Sequence, residues 1–425
     1  MSDVSNGVLF SDKLVAEIKD LFCYVDHDPT VGQRLFFDNA GGSFRLKKAV
    51  ERFREIDAIP DCPERSHKMA LFLQKIQEKG TNDVKIILNA KGGSVFTSLT
   101  ASQAMFEMVR AIAENVGGSN MVTSVLEHPS AYDPMEYYAK RTGKEFRVAK
   151  SDPATGGVRI EEVVKLVDKD TCLLSVMHAS NISGAIYDIE NIVKKVREIK
   201  PDLYIIVDAV QHAPHDVIDL QKAPVDGINF APYKFFGCRG SGIAWLSDRA
   251  AVLPHHKLIA KADGEWELGS PAPAQFAVVT EIVNYVCWLG GKFIDSNDRR
   301  ELFACGMSRI ALQERALMSR MFNGTDKLPG LRKINGIKLF LDDQDLTRKD
   351  FIVAMGFENL GYTQAVREYE KRGVIVYERL NTSPYSKRML ESFGMDGAIR
   401  VSPLHCNAKE DIDQFLQVTM ELTKL

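Results

Sequence analysis

Short apolar runs alternate along this chain with segments whose apolar residues recur every three or four positions. The first pattern marks buried strands and the second amphipathic helices. Residues 1 to about 30 read as a helical arm, with Leu14, Ile18, Leu21 and Phe22 on one face. Arg34 to Asp38 is a brief apolar run that Asn39-Ala40-Gly41-Gly42-Ser43 breaks into a turn, and a helical pattern resumes near Leu46. Val84 to Leu88, Asn120 to Leu126, Thr171 to Met177, Leu203 to Val207, Gly227 to Phe230 and Gly242 to Leu246 read as strands. Between them, Thr100 to Val116, Met135 to Thr142 and Ile189 to Ile199 read as helices. Ala104, Met108, Ala111 and Ile112 share one side of the first of these. Such alternation predicts βαβ units, hence an α/β fold with a mostly parallel central sheet flanked by helices. Pro271 and Pro273 precede a long helical stretch, about 274 to 322. Beyond about 330 the alternation changes, with apolar segments at 336–341, 348–358, 373–377, 398–402 and 410–423. That predicts a smaller α+β domain. The expected division is an arm (1–30), a large domain (31–290) and a small C-terminal domain (291–425).

The length, 425 residues, suits two domains better than one core. Hydrophobic residues make up 45% and charged residues 26%, the balance of a soluble globular protein. A net charge of −3 supplies no basic field for nucleic acid or an anionic membrane. The seven cysteines are scattered and form no CxxC pair, which argues for a reducing compartment and against a structural zinc site. Neither a secretory leader nor an apolar run of ~18 residues is visible. The expectation is a cytoplasmic protein that binds no metal, nucleic acid or membrane.

Chemistry concentrates where strands end, the place where open parallel sheets bind ligands. The run Leu203 to Val207 leads into Asp208-Ala209-Val210-Gln211, and 26 positions after Asp208 stands Lys234, in Tyr233-Lys234-Phe235-Phe236-Gly237. A buried acid at a strand end and a lysine on a following loop suit pyridoxal phosphate, which needs an amine for its Schiff base and an acid for its pyridinium nitrogen. Thr97 to Ser102 precedes a helix, and hydroxyls with free N–H groups there suit a phosphate. Glu127-His128-Pro129-Ser130 follows a strand and places a histidine that can stack on an aromatic ring. Ser180-Asn181-Ile182-Ser183-Gly184 follows another. Taken singly, each has an ordinary alternative: a helix cap, a structural histidine, a turn, a solvated charge.

Together these segments resemble the class V aminotransferase and cysteine desulfurase-like family of fold-type I pyridoxal phosphate enzymes. Phe36 to Gly42 is similar to its early "(Y/F)xDNA" segment, Glu127-His128 to its ring-stacking histidine, and Ser180 to Gly184 to its "SNxxG". Val207 to His215 matches "VDxxQxxPH", Tyr233 to Gly237 its Schiff-base lysine, Glu267 to Pro271 its "xxGTP" turn, and Ile399 to Asn407 its "RxS…N". The resemblance implies that Lys234 holds the cofactor and shuttles the substrate Cα proton, that Asp208 pairs with the ring nitrogen, and that Gln211 meets the ring's phenolic oxygen. It also implies that His128 stacks on the ring, that Thr100, Ala101, Ser102 and Tyr233 take the phosphate, and that Asn181 reaches a ring hydroxyl or the substrate. Ser270 would reach the phosphate of the neighbouring subunit in a homodimer. Arg400 would clamp the amino-acid carboxylate bidentately, with Asn39 nearby.

Three departures bear on function. The phosphate segment reads Thr100-Ala101-Ser102-Gln103 and lacks the family's usual wording. Gly373 to Ile399 contains no cysteine where desulfurases carry their persulfide thiol. Arg379 is an extra cation near the substrate end, placed either to read a second acidic group or to sit in solvent. Transamination demands least beyond these residues and is the expected reaction. C–S or β-elimination lyase chemistry and epimerisation (which needs a second proton donor such as Tyr233 or a His) use the same set. A nicotinamide or S-adenosylmethionine site would need a Gly-rich turn opening a helix, and Gly240-Ser241-Gly242 precedes a strand instead. A non-catalytic relative would not be expected to keep Asp208, Gln211 and Lys234 together.

Overall fold

The computed structural model describes residues 4–60 and 63–425, so Cys62 lies outside the described residues. Seven strands form the central sheet in the order Ser94–Ser98, Gly242–Leu246, Gly227–Phe230, Tyr204–Asp208, Thr171–Met177, Asn120–Ser124, Glu145–Ala149. Only Gly242–Leu246 runs against its neighbours; the other pairings are parallel. The α/β class and the mostly parallel sheet expected from the pattern are therefore present. Thr171–Met177 and Gly227–Phe230 are buried along their whole length, as a sheet covered on both faces requires.

A second, antiparallel sheet runs in the order Ile337–Phe340, Val353–Phe357, Gly397–Val401, Tyr377–Leu380. It has its own apolar core, in which Phe351, Met355, Tyr369 and Phe415 pack with the far end of the helix Arg299–Asn323. The segment around Phe36 is tied to this C-terminal part: Leu35–Phe36 pairs parallel with Val374–Ile375, and Ser402 N donates to Phe37 O at 2.7 Å.

Several boundaries differ from the sequence reading. Val84 to Leu88 is no strand but the end of the helix Lys68–Leu88. Its buried residues Leu73, Gly80, Val84, Ile87 and Leu88 keep helical spacing, and the apolar run at the end is simply where that face is densest. The edge strand Ser94–Ser98 escaped notice because only Phe96 of its side chains is buried. Glu145–Ala149, half exposed at the other edge, escaped for the same reason. The stretch 274–322 is two helices, Pro273–Gly290 and Arg299–Asn323. They cross closely through Gly290 and Gly306, where a Cβ would collide with the backbone of Leu302 and Val286. In the arm, the helix Asp12–Leu21 buries Val15 and Ile18, whereas Leu21 turns outward. Among the described residues no helix is long and apolar enough to cross a membrane.

Candidate active site

The parallel strands Asn120–Ser124, Thr171–Met177, Tyr204–Asp208 and Gly227–Phe230 end on the same side of the sheet. A cavity of about 300 Å³ lies there, lined by Thr100, Ala101, Ser102, His128, Asn181, Asp208, Gln211, Tyr233 and Lys234 among others. Nine residues singled out from the sequence thus converge on one space. Asn39, Arg379 and Arg400 are not part of that lining. Ser270 is exposed on a loop and takes no part in it either.

Asp208 is the last residue of its strand and 6% exposed; its Oδ1 accepts the Val210 N–H at 3.0 Å. Burial pushes its carboxyl up, while the Val210 N–H and the Lys234 charge oppose the shift. Lys234 closes the short 3₁₀ turn Pro232–Lys234. Burial pulls its ammonium down to about 8; Arg400 adds to this and Asp208 partly resists. The turn is braced from outside. Ser43 N donates to Tyr233 O at 3.1 Å, and Phe236 N donates to Ser43 Oγ at 3.0 Å. Phe236 is held at a φ of 62° with its ring in the core, a conformation that needs such bracing.

That brace explains the polar turn after Asp38. Asn39 donates from Nδ2 to Phe36 O at 3.2 Å and Ser402 O at 3.0 Å, and accepts Phe44 N at 3.2 Å. Both of its N–H groups are spent on backbone, so the substrate contact offered from the sequence is corrected to a structural role. Its neighbour Asp38, to which the sequence reading gave no role, is the residue that pairs with Arg400.

At the opposite end of the cavity Thr100 caps the helix Ala101–Asn115, its Oγ1 accepting Gln103 N at 3.1 Å. The backbone N–H groups of Ala101 and Ser102 belong to the first helical turn and have no intrahelical partner. Gly242 passes so close that a Cβ would collide with Ala101 N, so only glycine lets the antiparallel strand run against this helix start. Arg239 and Ser241 also line this end; the sequence reading missed both. The Arg239 guanidinium lies 3.9 Å from the centroid of the Tyr233 ring.

His128 caps the helix Pro129–Arg141, and its Nδ1 lies 2.6 Å from Ser130 Oγ. Burial drives its imidazole down to about 3, with Lys234, Arg379, Arg388 and Arg400 adding to the effect, so the ring is neutral at physiological pH. Arg388 holds the loop that carries it. It donates to Val125 O and, at 2.7 Å, to Glu127 O, and lies 3.6 Å over the Tyr132 ring. Tyr385 stacks beside His128 with ring centroids 6.2 Å apart. Beneath, Glu127 is fully buried and pushed up to about 8 by burial, despite the Ser124 hydroxyl donating to it at 2.6 Å.

Two lining residues keep buried acceptor atoms without a partner: Gln211 Oε1 and Asn181 Oδ1. An unmet buried acceptor costs about 1–3 kcal/mol, so both are poised for a group the protein itself does not supply. A flat ring with polar substituents and an anionic tail fits this set: a buried acid, a reactive amine, a neutral histidine, two unmet amide oxygens and a helix start.

Arg400 is 3% exposed on the strand Gly397–Val401 and bonds Asp38 Oδ1 at 2.7 Å and Asn181 O at 3.2 Å. Its Nε is buried without a partner. Arg379, on Tyr377–Leu380, donates from Nη2 to Tyr385 O at 3.0 Å.

A family model described as Aminotransferase class-V matches residues 35–415. A protein named "Probable cysteine desulfurase" from Borreliella burgdorferi is 24% identical over 414 residues, covering 90% of either chain. "Cysteine desulfurase IscS" from Buchnera aphidicola is 28% identical over 213 residues, which is 49% of this chain and 52% of that one. The apo structure of a cysteine desulfurase from Thermococcus onnurineus superimposes with a TM-score of 0.79 at 20% identity, covering 92% of this chain and 95% of that one. At that identity the likeness speaks to fold alone. A match spanning most of the sequence, on a fold whose strand ends gather a lysine, an acid and a histidine in one cavity, assigns the protein: the chain belongs to the class-V aminotransferase family of pyridoxal phosphate-dependent enzymes.

Proposed function

We propose that this chain binds pyridoxal phosphate at Lys234, removes the Cα proton of an amino acid, and expels the sulfur substituent of Cβ, with its bonding electron pair, as a thiolate or sulfide that leaves to solvent. This is a desulfurase-like lyase reaction without a persulfide thiol. The observation that carries the reading is the convergence of Lys234, Asp208 and His128 on one cavity at the strand ends. When bound, the cofactor supplies a ring that stores the electron pair left on Cα. Asp208 would keep the ring nitrogen protonated, and Gln211 would meet the ring's hydroxyl, which its unpartnered Oε1 can accept. His128, neutral, would pack against the ring. The N–H groups of Ala101 and Ser102, with Thr100, Tyr233, Ser241 and Arg239, hold the phosphate. Arg400 would hold the substrate carboxylate, to which Asn181 could add only its amide N–H, and Lys234 would move the Cα proton. Ser270, exposed in the single chain, fits a contact to the site of a second copy, so a homodimer belongs to the proposal.

Transamination was the reaction expected from the sequence. The names of the relatives move the weight to lyase chemistry. The thiol argument narrows it further. Burial raises the thiols of Cys238 and Cys406, and no described cysteine lines the cavity. A bound sulfur acceptor of the desulfurase kind is therefore not part of the proposal. Product analysis with a panel of amino acids tests it. Repeated turnover to ammonia plus a keto acid supports the lyase. Stoichiometric conversion of the cofactor to its amine form gives transamination instead, and scrambled stereochemistry gives epimerisation.

A pH prediction follows from the lysine. Only the neutral amine attacks an aldehyde, and the neutral fraction rises as pH passes the pKa. Uptake of pyridoxal phosphate by cofactor-free protein is expected to accelerate with pH around a midpoint near 8, far below the ordinary lysine value of 10.5. Stopped-flow absorbance from pH 6 to 10 reads it, and a rate still climbing steeply at pH 10 would contradict the buried-lysine account.

A further inference from the structure

The cation at Arg379 has no use in the proposed chemistry so far. Tyr377–Leu380 pairs antiparallel with Gly397–Val401, placing Tyr377 opposite Arg400 and Arg379 opposite Ala398. Residues opposite one another share a face of the sheet, as do residues two apart on a strand. Tyr377, Arg379 and Arg400 therefore project from the same face, and Arg379 is the diagonal neighbour of Arg400, roughly 7–8 Å away at the backbone.

The two arginines differ in compensation. Arg400 has its carboxylate partner, Asp38, at 2.7 Å. Arg379 makes no ion pair among the described residues; its Nη2 meets the Tyr385 carbonyl, and its Nε is buried without a partner. Glu378, the nearest acid in sequence, sits on the opposite face of the strand by alternation. Burial, with Arg400 beside it, pulls the Arg379 guanidinium down to about 10, with Tyr377 and the more distant Asp38 opposing the shift. Its charge also weighs on both Lys234 and His128, so it stands within electrostatic reach of the reacting atoms. A buried charge without a counter-charge is costly, and an anion placed beside it relieves that cost.

We infer that the substrate carries a second anionic group on its side chain, a carboxylate or a group of like charge, and that Arg379 binds it while Arg400 holds the α-carboxylate. This rests on the assignment of Arg400 made above. The plainer role, pinning the Tyr385 loop through one hydrogen bond, uses a single N–H of Arg379 and leaves its charge sharing with Arg400 the one carboxylate of Asp38.

The test compares acidic amino acids with their neutral isosteres on the holoenzyme: L-aspartate against L-asparagine and L-glutamate against L-glutamine. Binding is read as Kd from the absorbance change of the bound cofactor, because none of the four carries a Cβ leaving group for the lyase to expel. One acidic member is expected to exceed its amide in affinity by about 100-fold, the scale of a hydrogen bond to a charged group in a buried site. Arg379→Gln is expected to collapse that ratio towards one, and Arg379→Lys to retain part of it. A wild-type ratio near one overturns the inference. So does an Arg379→Gln variant that loses acid and amide alike, which is the mark of a structural residue. If the wild-type protein shows no lysine-bound cofactor band at all, the reading of the site fails first and this inference falls with it. A normal band without acid preference sinks the inference alone.

Discussion

Lys234→Ala is expected to lower turnover on the order of 10³-fold or more while leaving the fold intact. The figure follows from the role, since a positioned proton-transfer group contributes roughly 10²–10⁴-fold. Lys234 would also be the covalent anchor. The turn that carries it is held by the backbone N–H and the hydroxyl of Ser43 and by the buried rings of Phe235 and Phe236. Truncation therefore spares the scaffold and removes a buried ammonium whose burial is unfavourable. Circular dichroism and thermal melting should be unchanged or slightly improved, while the absorbance of lysine-bound cofactor disappears. A variant that keeps even a tenth of wild-type turnover would remove Lys234 from the chemistry.

The second large effect is expected at Asp208. Asp208→Asn preserves shape, because an amide oxygen can still accept the Val210 N–H. It removes the charge that would hold a proton on the ring nitrogen. Turnover should fall on the order of 10²–10³-fold, the scale seen when one preorganised electrostatic group is deleted. A second readout follows from the sign of the coupling. Asp208 raises the pKa of Lys234 against the pull of burial. Without it the lysine shifts below about 8, so the pH midpoint for cofactor uptake should move down rather than up. Loss of activity with an unmoved or raised midpoint would mean that the two residues do not share the site as described.

How much of this was legible in the sequence depends on range. Asp208, Gln211, His128, Asn181 and Lys234 were readable because each follows a buried apolar run, and a parallel sheet carries such positions to one edge. The helix start at Thr100 was readable from its cap and the apolar face behind it. Partners distant in sequence were not. Nothing local to Arg388 tells that it grips the loop of His128 across 261 residues, nor that Asp38 pairs with Arg400 across 362. Asn39 shows the opposite failure: a polar residue in a matched segment looked like a ligand contact, yet its amide is consumed by backbone. The edge strand Ser94–Ser98 hid because an edge buries little, and the end of Lys68–Leu88 misled because an apolar run on a helix imitates a strand.

The most direct measurement is chemical. Purified protein is mixed with pyridoxal phosphate, reduced with borohydride to fix any cofactor–lysine bond, digested, and the labelled peptide sequenced by mass spectrometry. A single stoichiometric label on Lys234, among the many lysines of the chain, is the result this account predicts. Label scattered over surface lysines, or none retained after reduction, would contradict it.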